Sequence, residues 1–276
     1  MTYCVAMRLD AGLVFLSDSR TNAGMDQIST FRKMSVYEQP GDRVMVMLSA
    51  GNLAITQSVR QMLQTETIQR DGKAVSIWDC RSMFDAALIV GSAVRKVYER
   101  DGPSLKNFGI EFNVNLILGG QIKGETTRLF NIYAAGNFVE AGRDGVCYFQ
   151  IGESKYGKPI IDRVVTPATP LDQAAKCALV SMDSTLKSNL SVGLPLDLLV
   201  YETDSLRAER IVHIDEHNAY FNMIRNVWGQ RLREVFESIP NPSWERLGDG
   251  PQPTAAAPQQ QGGALHPLRK IHAPDA

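Results

Sequence analysis

Short apolar runs, separated by turn-forming residues, recur along most of the chain and predict β-strands. The first two runs flank Asp10-Ala11-Gly12, a sequence typical of a tight hairpin turn. The predicted strands cover residues 2–8, 13–19, 29–37, 44–48, 112–119, 128–135, 146–151, 197–203 and 207–214. Residues 44–48 are apolar at every position, so both faces of their sheet are expected to be covered.

Longer segments carry apolar residues every three or four positions, which is the spacing of one face of an α-helix. The predicted helices cover residues 53–71, 78–100, 170–187 and a last segment from Phe221 to Ile239. In the second helix, the apolar face is formed by Met83, Ala86, Ala87, Val90, Val94 and Val97. Leu88, Ile89 and Tyr98 lie off that face. This helix is therefore expected to carry extra apolar surface on its outer side, as at a subunit interface.

The order of the predicted elements is four strands, two helices, three strands, one helix, two strands and one helix. Strands that follow one another in hairpin-sized groups favour antiparallel sheets, and helices in separate blocks favour layers outside the sheets. Strands and helices do not alternate, which argues against Rossmann and TIM-barrel folds. We therefore expect an α+β fold, a four-layer αββα sandwich of two antiparallel sheets covered by helices.

The last part of the chain differs in composition from the rest. From Gly248 onward the sequence holds five of the thirteen prolines and no aromatic residue. Such a segment cannot bury enough apolar surface to offset the entropy lost on ordering. We therefore predict one folded domain over residues 1–247 and a flexible tail over residues 248–276.

Charge and cysteine content narrow the class of protein. With 29 basic and 30 acidic side chains, the chain gives no electrostatic reason to expect a nucleic-acid or membrane partner. No apolar run approaches the roughly 20 residues that span a bilayer, and the start of the chain lacks the form of a signal peptide. The four cysteines lie far apart, and no CxxC pair is present. We expect a reduced protein of the cytoplasm.

The start of the chain offers a candidate nucleophile. Met1 precedes Thr2, and an initiator methionine is normally removed when the second residue is this small. The new chain would begin with a threonine, whose hydroxyl lies beside a free α-amine with an ordinary pKa of about 7.7–8.0. Because much of that amine is unprotonated near neutral pH, one residue can supply both the nucleophile and the general base.

Other segments place suitable partners near Thr2. Pairing of the first two strands brings Asp18, at the end of the second, back beside the start of the first. Lys33 follows on the third strand, where its charge would lower the pKa of the amine and stabilise an alkoxide. Gly51 follows the fourth strand at a predicted helix start, where its N–H would stabilise an oxyanion.

Over about residues 1–240 this pattern resembles the proteasome β-subunit superfamily of N-terminal nucleophile hydrolases. The resemblance rests on Thr2, on the segment SDSR that contains Asp18, on Lys33 and on the SAGN turn that contains Gly51. Within the superfamily, the chain is most similar to the bacterial ancestral β-subunit branch, Anbu. This similarity rests on the segments TYCVAMRLDAGLVFLSDSRTNAG and SNLSVGLPLDLLVY. The resemblance implies a threonine-type endopeptidase without cofactor or metal that acts on peptides or unfolded proteins.

The resemblance also implies supporting residues. Ser154 or Glu153 would hold the N-terminal amine, Ser191 would support the nucleophile, and Asn22 would bind the substrate backbone as an added strand. The family carries an aspartate where this chain has Ser188. A catalytically weak ring or scaffold subunit and a small-molecule amidohydrolase of the same fold therefore stay open as alternatives.

The resemblance further implies a homo-oligomer, for which we expect at least six subunits. A small change of interface geometry converts a closed ring into a split ring or a helix, and the composition does not decide between these forms. No unfoldase partner can be identified from the sequence.

Two other segments resemble ligand-binding motifs. Residues 152–158 match GxxxxGK, the body of a phosphate-binding loop, but Pro159 lacks the hydroxyl and the N–H that such a loop needs at this position. His213 and His217 have the spacing of half a zinc site without an accompanying cysteine pair. A strand-to-helix turn and a solvated turn explain these two segments better than nucleotide or metal binding does.

Overall fold

The computed structural model describes residues 1–22, 28–70, 73–142 and 145–243. Its strands are β1 Tyr3–Leu9, β2 Gly12–Asp18, β3 Arg20–Asn22, β4 Ile28–Thr30, β5 Met34–Gln39, β6 Arg43–Gly51, β7 Ile68–Arg70, β8 Lys73–Val75, β9 Val114–Ile122, β10 Arg128–Ile132, β11 Phe138–Glu140, β12 Tyr148–Gly152, β13 Leu196–Glu202 and β14 Arg210–Ile214. Its helices are α1 Leu53–Thr65, α2 Met83–Asn107, α3 Lys158–Val164, α4 Leu171–Ser188 and α5 Ala219–Ser238.

The strands in the described residues form two large sheets and two short hairpins, all antiparallel. One sheet has the order β12-β1-β2-β13-β14, and the other has the order β11-β10-β9-β6-β5. The hairpins are β3-β4 and β7-β8. The expected α+β class with antiparallel sheets is therefore confirmed.

The hairpin of β1 and β2 forms as the sequence predicts. Leu9 pairs with Gly12 at the turn, and Cys4 pairs with Ser17 near the open end. Gly12 has a φ of +149°, and a side chain there would overlap the Tyr201 carbonyl on β13. Glycine at this position therefore lets β2 lie directly beside β13.

Three clusters of buried side chains hold the elements together. The first joins the two sheets, with Cys4, Ala6 and Phe15 from one and Val44, Val46 and Leu48 from the other. The second packs α1 and α2 against β6 and β9, and the third packs α4 and the start of α5 against β1, β2 and β13. Each large sheet thus contributes apolar side chains to two clusters, which is the burial on both faces that the apolar runs predict.

Helix α1 ends earlier than the predicted residue 71. Glu66 is already extended, with φ −116° and ψ 157°, and its amide bonds to the Met62 carbonyl at 2.9 Å. The chain then forms β7, in which Ile68 is buried. The β-branched residues of this segment favour a strand over a further helical turn.

Helix α2 is shifted towards the C-terminus relative to the predicted residues 78–100. It begins after Ser82, whose hydroxyl accepts a hydrogen bond from the Asp85 amide at 3.0 Å and so caps the helix. The prediction that Ile89 faces outward is wrong, because Ile89 is only 2% exposed and packs in the second cluster. Tyr98 is 53% exposed, as predicted for the outer side.

The predicted strand 29–37 is divided into β4 and β5. Between them the Phe31 amide donates to the Ser19 carbonyl at 2.8 Å, and the Lys33 carbonyl accepts from the Ser49 amide at 3.0 Å. The first bond extends the β3–β4 hairpin and the second joins the connection to β6, so the chain bends instead of continuing one ladder. Helix α3, which the periodicity did not predict, spans only seven residues and buries only Ile161.

The chain divides into two compact units, Met1–Arg231 and Leu232–Ala276. The described part of the second unit contains the last turns of α5 and the residues up to 243. The predicted flexible tail over 248–276 lies outside the described residues, so it stays a prediction. None of the helices in the described residues combines the length and the apolarity needed to cross a membrane.

Candidate active site

The open end of the β1–β2 hairpin brings Asp18 and Lys33 to the start of the chain. Asp18 Oδ1 accepts the Tyr3 amide at 3.0 Å and the Lys33 ammonium at 2.7 Å. The Lys33 ammonium also donates to the Arg20 carbonyl at 2.7 Å. Asp18 is fully buried, and Lys33 is 7% exposed. The residue after Thr2, the carboxylate and the ammonium therefore form one connected network.

The pKa values of the groups in this network respond to burial and charge. Burial raises the pKa of Asp18, while the Lys33 charge and the Tyr3 amide act in the opposite direction. Burial also lowers the pKa of the Met1 α-amine, and Lys33 adds to this effect. The charges of Asp18 and Glu153 partly offset that decrease. An amine at this end of the chain is thus more readily deprotonated than in solution.

Strand β6 fixes the backbone of Lys33. The Ser49 amide and hydroxyl both donate to the Lys33 carbonyl, at 3.0 Å and 3.3 Å. Two residues further on, Gly51 ends the strand with a φ of +112°, and a side chain there would overlap the Asn113 carbonyl. Only glycine fits this position without strain.

Thr2, Lys33 and Gly51 line the same cavity of about 290 Å³. The remaining lining residues are Met1, Arg20, Thr21, Arg32, Ser35, Met47, Ser49, Ala50, Asn52, Leu53, Thr56, Gln57 and Arg60. The cavity therefore combines a hydroxyl beside the chain terminus, an ammonium and a glycine backbone, which are the groups that acyl transfer requires.

The end of β12 lies against the backbone of Thr2. The Glu153 amide donates to the Thr2 carbonyl at 2.6 Å, and Gly152, with a φ of +80°, has no room for a side chain beside that carbonyl. The Glu153 carboxylate is 8% exposed and accepts a hydrogen bond from Asn189 at 2.8 Å. Lys155 forms an ion pair with it at 3.3 Å.

Solved structures with the same fold were identified by comparison. Anbu (ancestral β-subunit) from Yersinia bercovieri is 55% identical, with a TM-score of 0.80 over 88% of this chain and 100% of that one. The helical assembly of the Anbu complex from Pseudomonas aeruginosa is 48% identical, with a TM-score of 0.81 over 88% and 99% of the two chains. Anbu from Hyphomicrobium sp. strain MC1 is 46% identical, with a TM-score of 0.78 over 88% and 100%.

The chain belongs to the Anbu family. It therefore has the proteasome-like N-terminal nucleophile hydrolase fold, which supports a hydrolase in general, and the resemblance deduced from the sequence is confirmed. No protein-family model matches the sequence, and no curated protein matches it.

In this Anbu chain the four residues predicted to carry the chemistry come together. Thr2, Lys33 and Gly51 line the cavity, and Asp18 lies behind Lys33. Gly51 differs from the prediction in one respect, because it ends β6 and does not itself begin α1. The residue that caps α1 is Asn52, whose side chain accepts the Ala54 amide at 2.9 Å.

The residues predicted to support the site are spread more widely. Ser154 is half-buried in the turn after β12, where its amide donates to the Gly152 carbonyl at 3.0 Å. Ser191 is half-buried, and its amide donates to Asn189 Oδ1 at 2.9 Å. Neither residue lines the cavity. Asn22 ends β3, and its side chain is not among those described.

Asn189 is a site residue that the sequence reasoning missed. It follows the last residue of α4 and joins Glu153 to the backbone of Ser191. An asparagine directly after a helix is a recognisable end signal, but its carboxylate partner lies 36 positions away in sequence. Only the packing of α4 on the sheet that contains β12 brings the two together.

The segment that matched a phosphate-binding loop has a different role. The Lys158 ammonium bonds to the Tyr148 hydroxyl at 2.7 Å and to the Asp162 carboxylate at 2.9 Å. A side chain on Gly157 would lie only 2.5 Å from the Tyr3 hydroxyl, so the loop packs against β1. The geometry favours the interpretation as a strand-to-helix turn.

The histidine pair is likewise explained without a metal. The His213 Nδ1 on β14 donates a hydrogen bond to the buried Asp197 carboxylate at 2.9 Å, and the His217 side chain is 83% exposed. Within residues 1–22, 28–70, 73–142 and 145–243, no group of three or more metal-ligating side chains is found.

Proposed function

We propose that this chain is a proteasome-type threonine peptidase that hydrolyses peptide bonds with Thr2 as the nucleophile. The observation that carries the proposal is the shared cavity of Thr2, Lys33 and Gly51, with Lys33 held by the buried Asp18. Removal of Met1 would expose the Thr2 amine at the entrance of this cavity. Met1 is 63% exposed and is therefore accessible for removal, which supports this step.

The amine of Thr2 acts as the base in this mechanism. As the Thr2 hydroxyl oxygen bonds to the peptide carbonyl carbon, its proton passes to the α-amine. Collapse of the tetrahedral intermediate breaks the C–N bond, and the ammonium returns the proton to the leaving amine. Water then adds to the acyl-enzyme with the same amine as base, and the Thr2 oxygen leaves with a proton.

Lys33 makes this cycle possible near neutral pH. Its positive charge acts with burial to lower the pKa of the Met1 α-amine, and the same charge would favour the unprotonated form of the Thr2 amine once Met1 is removed. The same charge stabilises the alkoxide that develops on Thr2. Asp18 positions the ammonium, and the Tyr3 amide on the same carboxylate oxygen ties that position to the start of β1.

Backbone groups on two sides of Thr2 complete the site. The Gly51 N–H receives the oxyanion of the tetrahedral intermediate. Glu153 holds the Thr2 carbonyl through its amide, and its carboxylate attracts the terminal ammonium form. Of the two candidates for holding the amine, Glu153 is thus better supported than Ser154. Ser191 supports this side of the site through Asn189, and Asn22 remains a candidate for binding the substrate backbone.

We further propose that the chain has a four-layer architecture and forms a homo-oligomer. The three buried clusters support a four-layer αββα arrangement, and the helical assembly of the Pseudomonas aeruginosa relative supports a homo-oligomer. The substrate is a peptide or an unfolded protein, and the location is the cytoplasm.

Hydrolysis of a peptide library by the Met1-trimmed chain tests this function. We expect Thr2→Ala to abolish turnover and Thr2→Ser to retain part of it, because serine keeps the hydroxyl and the amine. Turnover that is unaltered in Thr2→Ala would contradict the mechanism. Turnover of simple acyl amides without any peptide hydrolysis would instead identify a small-molecule amidohydrolase.

A catalytically weak scaffold subunit is the second candidate. It is favoured by Ser188, the exposed last residue of α4, which stands where the resemblance leads us to expect an aspartate that supports the nucleophile. In that case, the assembled and trimmed protein would hydrolyse no member of the library.

A further inference from the structure

The cavity beside Thr2 has a strongly one-sided charge. Among the residues that the structure describes, sixteen line the cavity, and they include four basic side chains and no acidic one. Lys33 already has an acidic partner in Asp18, which lies behind it. The remaining basic residues are Arg20, Arg32 and Arg60.

Arg32 and Arg60 have no acidic partner among the residues that the structure describes. Arg60 is half-buried on α1, and its charge acts on the buried Tyr37 hydroxyl, opposing the rise of the pKa of Tyr37 to about 12 that burial causes. Arg20 donates to the Leu190 carbonyl at 3.2 Å, and no carboxylate in the described part of the chain pairs with it. An uncompensated, partly buried cation costs desolvation free energy unless a ligand supplies the opposite charge.

We propose that this cavity selects substrates with an acidic side chain, Asp or Glu, on the residue whose carbonyl Thr2 attacks. A volume of about 290 Å³ holds one side chain with its water and not a folded segment. Because Thr2 itself lines the cavity, the substrate side chain that can enter it is the one on the residue whose carbonyl Thr2 attacks. This substrate class rests on the proposed function of Thr2.

The non-charged lining is compatible with a carboxylate. The side-chain amides of Asn52 and Gln57 carry hydrogen-bond donors, and Arg60, one helical turn after Thr56, lies on the same side of α1 as that lining residue. Planar guanidinium groups bind carboxylates with two parallel hydrogen bonds. Arg60 is therefore the residue assigned to determine specificity, and Arg32 adds charge at the exposed side.

Binding to the Thr2→Ala protein separates this inference from catalysis. Two capped peptides that differ only in Glu or Gln at one position are titrated against the assembled Thr2→Ala protein. We expect about tenfold tighter binding of the Glu peptide, and a smaller ratio as the salt concentration rises. Arg60→Gln should bring the ratio close to one, whereas Arg60→Lys, which keeps the charge but loses the paired guanidinium hydrogen bonds, should keep only part of it.

Arg207→Gln is the matched control, because Arg207 is 61% exposed in its side chain and does not line the cavity. It should leave the ratio unchanged. Equal or weaker binding of the Glu peptide, or no binding of either peptide, would overturn the inference. Tighter binding of the Glu peptide without any peptide hydrolysis by the Thr2 form would support the acidic specificity and contradict the peptidase function.

Discussion

The Lys33–Asp18 pair is buried. Variants that remove one or both of its charges should therefore distinguish its contribution to stability from its contribution to catalysis. Lys33→Met leaves the Asp18 carboxylate buried without its cation, and we expect the free energy of unfolding to fall by about 3–5 kcal/mol. The double variant Asp18→Asn/Lys33→Met removes both charges and should recover much of this loss. Urea unfolding at one fixed protein concentration measures both effects.

The double variant also tests the catalytic role of Lys33. Because the Lys33 charge lowers the pKa of the Met1 α-amine and is expected to act likewise on the Thr2 amine, the recovered protein should still react at Thr2 at least about tenfold more slowly at neutral pH. Full reactivity in a stable double variant would show that the pair serves the fold alone.

The sequence was sufficient to predict the Lys33–Asp18 pair, but it was not sufficient to predict which other residues complete the site. Asp18 follows from hairpin pairing, because the register of β1 and β2 is set by a short turn. The choice between Glu153 and Ser154 depends on which side chain turns inward after the positive φ of Gly152. Arg60 enters the cavity only because α1 packs beside β6, which no local pattern encodes.

The end of β12 should be sensitive to a single methyl group. In Gly152→Ala the new side chain would overlap the Thr2 carbonyl, at a residue with a φ of +80°. We expect a loss of about 1–3 kcal/mol of stability together with at least about tenfold slower reaction at Thr2, because the nucleophile is displaced. Thermal unfolding and labelling of Thr2 measure the two effects.

Gly124→Ala is the control for backbone strain alone. Gly124 has a nearly equal φ of +85°, but no atom lies within 4 Å of an added side chain. Its alanine variant should lose about 1–2 kcal/mol of stability and keep full reactivity at Thr2. If both variants react at the same rate, β12 does not position the nucleophile.

Long, regular elements were the most predictable. The hairpin of β1 and β2 and the core of α2 follow from patterns that repeat within a few residues. The division between β4 and β5 was not predictable, because it follows from backbone bonds to Ser19, just before β3, and to Ser49 on β6. Helix α3 was missed because seven residues are too few to show periodicity.

The whole molecule should assemble into a homo-oligomer of at least six subunits. The chain has a mass of 30.5 kDa, and exposed apolar side chains such as Phe84 and Tyr98 on α2 would be covered in contacts between copies. Sedimentation velocity at micromolar concentration should show a dominant species of about 180 kDa or more. A dominant species near the mass of one chain would contradict this prediction.

Family membership was accessible from the sequence because a few separated motifs, and not overall composition, carry it. The charge of the cavity was not accessible in this way. Net charge is close to zero over the chain, yet every charged side chain among the described lining residues is basic. These lining residues come from the start of the chain, from β3, from the segment before β5 and β5 itself, and from β6 and α1. Only the tertiary arrangement reveals this local excess.

Covalent labelling of the terminal threonine tests the central claim most directly. A peptide epoxyketone, which reacts with both the hydroxyl and the amine of an N-terminal threonine, is incubated with the assembled protein, and intact mass and peptide mapping are recorded. We predict a chain that lacks Met1, one reagent per chain located at Thr2, and no adduct in Thr2→Ala. A trimmed and assembled protein that takes up no reagent, or one that is labelled equally in Thr2→Ala, would contradict the account.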